Sequence, residues 1–137
     1  MPNLPLHVPA GSRPPYGFGD HVFRFLATGA DTGGSYSAME LHSPHQSGPG
    51  PHTHDDSEEH FMLVEGQVEF IVEGQVFIVD PGDLVHVPRG AVHQFTVLAP
   101  EARMVATYTP AGEEEAFIEA AELLTADAER ERRRPLA

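Results

Sequence analysis

No cysteine occurs in the 137 residues, which excludes a disulfide framework and thiolate chemistry alike. Lysine is absent as well. The eight basic side chains are all arginines, set against 21 acidic ones, and the formal net charge is −13. Phosphate recognition needs a basic surface, so this balance argues against a nucleic-acid partner and against anionic membranes. Four of the arginines, Arg130, Arg132, Arg133 and Arg134, crowd the C-terminus, where they read as a solvated basic tail. Long apolar runs are missing too. The opening MPNLPLHVPAGSRPP holds nothing of the length that a signal peptide or a membrane span requires, and the expected location is the cytoplasm.

What the chain does have is punctuation. Proline and glycine contribute 13 residues each, with short runs of Val, Phe and Tyr between them, a pattern of many short strands. Residues 1–20 read as an extended lead-in. Strands are expected at 21–27, 35–42, 61–64, 68–72, 75–79, 84–87, 93–98 and 103–109, within one domain over 21–110. Glu65-Gly66-Gln67 and Glu73-Gly74 read as tight hairpin turns, and 28–34 as a turn. Beyond Pro110 the period changes. Phe117, Ala120, Ala121 and Leu124 fall on one helical stripe, so residues 111–137 are expected to hold a helix and the basic tail. Glu113 to Glu115 suit the positive end of its dipole.

Two stretches carry chemistry: PHTHDDSEEHFMLVEG over 51–66 and PGDLVHVPRGAVHQF over 81–95. On extended backbone the H-x-H pair His52 and His54 puts both imidazoles on one face. Glu59 follows an acidic turn, and His93 adds a third imidazole. Three nitrogens and one carboxylate oxygen make a site for a divalent transition metal with positions left open. Such a donor set accepts Fe, Mn, Ni, Co, Cu or Zn. Glu58, the neighbouring residue, is an alternative carboxylate. Strand alternation places Phe95 and Val97 on the face of His93, and Phe61 and Leu63 on that of Glu59, as candidate pocket walls. His86, on a strand aimed at the site, is a further candidate. His60 should point away, and His7, His21, His42 and His45 read as surface or satisfied core residues.

These stretches resemble the two signature motifs of the cupin superfamily, G-x5-H-x-H-x(3,4)-E-x6-G and G-x5-P-x-G-x2-H-x3-N. His52, His54, Glu59 and Gly66 match the first; Gly82, Pro88, Gly90 and His93 match the second. Gln46 stands at the leading glycine position and Val97 at the final asparagine position. The resemblance implies an all-β jelly-roll β-barrel with a C-terminal α-helix, and His52, His54, Glu59 and His93 as metal ligands. Over residues 20–120 the chain is also similar to small single-domain cupins described as quercetin 2,3-dioxygenase-like. That similarity implies a dioxygenase of a flavonol-like or other enolic or phenolic small molecule, with dioxygen as co-substrate and Glu59 as catalytic base. Two other readings stay open: a binding or sensor protein whose metal only anchors a ligand, and an oxygen-independent isomerase or lyase. A homodimer, through residues 21–27 or the helix at 113–124, is one arrangement the resemblance allows; a lone barrel is the other.

Overall fold

Alternating burial generates the strands. The sequence SAMELHSP alternates buried and half-buried positions at every residue, as a strand with one covered face must. The computed structural model describes residues 4–133; Arg134 and the outermost ends of the lead-in and tail lie outside the described residues.

The strands form two antiparallel sheets. The larger runs in the order β10 (Glu122–Leu123), β1 (Tyr16–Phe18), β2 (His21–Ala27), β3 (Ser37–Pro44), β9 (Glu101–Thr109), β4 (Glu58–Glu65) and β7 (Leu84–Val87). The smaller holds β6 (Gln75–Val79), β5 (Val68–Val72) and β8 (His93–Val97), with β5 in the middle. Between them lies the core. Leu63, Met104 and Ala106 from the large sheet meet Val68, Phe70 and Val97 from the small one, each at most 1% exposed.

The expected barrel does not close. The large sheet ends at β10 and β7, and the small one at β6 and β8. The chain after β3 explains one open seam. Pro49 and Pro51 have no N–H to donate, so residues 45–52 cannot ladder onto β8 as a regular strand. They touch it at intervals instead. Gln46 N donates to Val97 O at 2.8 Å, Val97 N donates to Ser47 O at 3.0 Å, and His52 makes an isolated bridge with His93. Gly48 is required in this segment: at φ +156°, a Cβ would stand 1.7 Å from the carbonyl oxygen of Phe95.

Of the two expected hairpins, one forms. Glu73 and Gly74 both take positive φ, as the two-residue turn between β5 and β6 demands, and Val72 pairs with Gln75. Glu65-Gly66-Gln67 is instead a corner, because β4 belongs to the large sheet and β5 to the small one. The 28–34 turn contains a single helical turn, α1 (Gly29–Thr32).

The helix expected over 113–124 is shorter than that, and a second short helix follows in the basic tail. Helix α2 spans Glu113–Ala120, after which Glu122 and Leu123 pair with Gly17 and Tyr16 at the edge of the large sheet. Thr125 then caps α3 (Ala126–Arg132), its hydroxyl accepting from Ala128 N. The helix expected over 113–124 stops early because Ala121 takes extended backbone, with φ −105° and ψ 168°. Arg24 on β2 holds α3 through a bidentate pair with Glu129, at 2.6 and 2.7 Å.

Candidate metal centre

The two sheets and the loop between β3 and β4 bring the sequence motifs together. Strand β8 carries His93, which is 1% exposed, and its neighbour across the isolated bridge is His52. His54 follows two residues on, half-buried. One nitrogen from each of these three imidazoles lies within 4.8 Å of the others, a cluster that can hold a metal ion. Strand β4 supplies Glu59, 1% exposed, whose Oε1 is 3.1 Å from His93 Nε2 and 3.9 Å from His54 Nε2.

The ring orientations suit ligation. Carbonyl oxygens accept only, so Gly50 O at 2.8 Å from His52 Nδ1 and Ala91 O at 2.9 Å from His93 Nδ1 hold protons on those nitrogens. The Nε2 atoms are left to face the cluster. His54 Nε2 is buried and makes no hydrogen bond among the described residues. A buried nitrogen without a partner is costly, and a cation among four donors of this type removes that cost. The residues therefore fit a divalent transition metal.

Local electrostatics follow from burial and Glu59. For His52, burial dominates and lowers the imidazole below its ordinary value. Burial acts the same way on His93, but hydrogen bonds to Glu59 and Ala91 and the Glu59 charge outweigh it, and the net direction is up. Tyr108 on β9 is 2% exposed. Burial, then the adjacent Glu59 carboxylate, pushes its phenol well above the ordinary value, so it remains protonated beside Glu59.

Above the cluster opens a cavity of about 440 Å³. Its wall is dominated by Phe23, Phe61, Phe95 and Phe117 with Met39 and Leu41, while Gln46, Ser47, Asp20 and His21 are its few polar members beyond the cluster, Glu59 and Tyr108. Apolar walls with few polar groups are the usual make-up of a small-molecule site.

Of the pocket residues expected from strand parity, Phe61 and Phe95 line the cavity. Leu63 and Val97 share their faces but lie deeper, in the core between the sheets. His86 stands elsewhere: it is exposed and its ring stacks on His60 at 5.1 Å, directly across the β4–β7 ladder. It borders a separate hollow with Phe77 and Leu84. Parity accounts for this, since His86 pairs with His60, and both point opposite to Glu59.

Several of the residues at the site are not signalled by the sequence motifs, among them His21, Tyr108 and Phe117. His21 is in the cavity wall, its Nδ1 2.7 Å from Ser43 Oγ, and burial lowers its imidazole below the ordinary value. Tyr108 reaches the site through the β4–β9 ladder, where it pairs with Glu59, a long-range register that no local motif encodes. Phe117 belonged to the helical stripe, but the stripe alone did not say that it covers the cavity.

Comparison with known proteins agrees with this arrangement. The chain is 29% identical over 92 residues to quercetin 2,3-dioxygenase of Bacillus subtilis, and 28% identical over 103 residues to that of Aspergillus japonicus. These alignments take in 67% and 70% of this chain but only 27% and 29% of the relatives, so the chain spans less than a third of their length. Among solved structures, an RmlC-like cupin from Shewanella frigidimarina superposes with a TM-score of 0.69 at 18% identity, covering 82% of this chain and 98% of that one. The cupin domain family matches residues 39–117, a span containing the whole histidine cluster, and the chain belongs to that family.

Proposed function

We propose that the protein is a metal-dependent dioxygenase of a flavonol-like or other enolic or phenolic small molecule. The observation that carries this reading is a cluster of His52, His54 and His93 beside Glu59 at the foot of an aromatic-walled cavity. The two quercetin 2,3-dioxygenases matched above support the substrate class. His52, His54, Glu59 and His93 would hold the ion, which supplies Lewis acidity for an enolate and, if redox-active, an electron path to dioxygen.

The remaining work falls to the protein. Phe61, Phe95 and Phe117 give a planar substrate apolar faces and keep water from the reacting centre. Glu59 Oε1, buried and within hydrogen-bond reach of His93, would take the proton of an acidic substrate hydroxyl. Protonated Tyr108 stands next to that carboxylate as a donor that steadies its negative charge. His21, oriented by Ser43, can hydrogen-bond a substituent of the substrate from the cavity wall.

Oxygen consumption by protein loaded with iron, nickel, manganese or cobalt, against flavonols and simple enols, tests the reading. Multiple turnovers that are lost in His52→Ala and Glu59→Gln are expected. Uptake unchanged in both variants would refute it. Product formed equally well without oxygen would turn the assignment to an isomerase or lyase, and tight binding without turnover to a carrier or sensor.

A further inference from the structure

The three clustered imidazoles settle their protons in two different ways. An imidazole presents an Nε2 lone pair only when its proton sits on Nδ1, and an acceptor facing Nδ1 keeps it there. His52 and His93 each use the carbonyl two residues upstream, Gly50 O at 2.8 Å and Ala91 O at 2.9 Å. For His54 the equivalent carbonyl is that of His52. It accepts from His93 N at 3.0 Å in the bridge to β8 and takes no hydrogen bond from His54 among the described residues. Glu113, the first residue of α2, stands beside the imidazole instead: its Oε2 lies 3.2 Å from His54 Nδ1, an ion-pair contact.

The carboxylate is itself held. Its other oxygen, Oε1, accepts from Ser57 Oγ at 3.0 Å, and Ser57 is 2% exposed. The adjoining Glu114 anchors the start of the helix by accepting from Gly29 N at 2.7 Å and Gly112 N at 2.8 Å. A single turn thus delivers one carboxylate to a ligand and another to the backbone.

We propose that Glu113 is a positioning residue for the metal ligand His54. Its charge beside Nδ1 favours the proton there, keeps the lone pair of the unpartnered Nε2 directed into the cluster, and lends that nitrogen donor strength. This rests on the metal reading of the site. Among the three histidines it is the ligand whose orientation hangs on a side chain, and so the one a point substitution can release.

The test uses metal-free full-length protein titrated with Co²⁺, reading affinity by calorimetry, the visible spectrum at full loading, and the thermal midpoint before metal is added. Glu113→Ala should weaken Co²⁺ binding by about 10–100-fold and alter the spectrum. Glu113→Gln, whose amide oxygen can still accept from Nδ1, should recover part of the affinity. Glu114→Gln separates ligand positioning from helix anchoring: it should lower the midpoint with much less effect on affinity. The inference is overturned if Glu113→Ala binds Co²⁺ like the unaltered protein, or if Glu114→Gln loses as much affinity. An unaltered protein that takes up no metal would refute the reading of the site and the inference together; full uptake with an insensitive Glu113→Ala would refute the inference alone.

Discussion

Replacing Glu129 with glutamine should loosen the C-terminal helix from the large sheet by a predictable amount. Arg24 donates from both terminal nitrogens to the Glu129 carboxylate, at 2.6 and 2.7 Å, and each side chain is 13% exposed. Losing a hydrogen bond between charged groups costs roughly 1.5–3 kcal/mol, whereas an exposed ion pair contributes less than about 1. This pair lies between those limits, and glutamine keeps one acceptor, so the loss should be about 1–2 kcal/mol. At an unfolding entropy of about 2.1 cal/mol/K per residue, that lowers the midpoint of a chain this size by about 3–7 °C.

The effect should also depend on pH in a stated direction. The hydrogen bond from Arg24, opposed by partial burial and assisted by its charge, holds the Glu129 carboxyl below its ordinary value. A depressed carboxyl contributes stability above its unfolded-state value and loses it as pH falls through the folded-state value. The gap between native and glutamine proteins should therefore be full at neutral pH and close in acid. Thermal melts across an acid series measure both parts. Equal midpoints at pH 7, or a gap that widens as pH falls, would refute the reasoning.

Two further substitutions test the packing around the site. Gly48→Ala would place a methyl group 1.7 Å from the Phe95 carbonyl oxygen, and backbone cannot yield as a side chain does. The loop should leave β8, with a cost of about 1–3 kcal/mol and faster hydrogen exchange at the Val97 amide, which now bonds Ser47 O; unchanged exchange would show that the loop was not held there. Leu63, 1% exposed beneath the cavity floor, should cost about 2.7–5 kcal/mol on truncation to alanine in a urea titration. A loss under about 1 kcal/mol would mean the space between the sheets collapses freely.

What was legible in the sequence was local. The strands at His21–Ala27, Val68–Val72, Gln75–Val79 and Leu84–Val87 carry their periodicity and turn residues within themselves, and they form over those residues. His52, His54 and His93 could be grouped because the H-x-H spacing and the Pro-x-Gly turn are short-range signals. What the sequence concealed was which sheet each strand joins. Glu65-Gly66-Gln67 has hairpin composition, yet it turns a corner, since β4 pairs with β7 and β9 while β5 pairs with β6 and β8. The barrel expectation failed for a related reason: the segment facing β8 is interrupted by prolines, so contact there is intermittent. The place of His86 was hidden for the same reason: its face is set by pairing with His60 across the β4–β7 ladder, a register its own strand does not encode.

The bridge between His52 and His93 has a consequence for assembly. His93 belongs to the small sheet, Glu59 to the large one, and His52 and His54 to the loop from β3 to β4, which leaves the large sheet and returns to it after touching β8. An ion coordinated by all four would act as a clasp across the open seam, fastening two layers that the backbone joins only at intervals. It could not be gripped until both layers had docked, because no single layer owns the donor set. Loading would then come after folding and report on its completion, and a chain whose layers had slipped by one residue would turn its imidazoles away and remain unclasped.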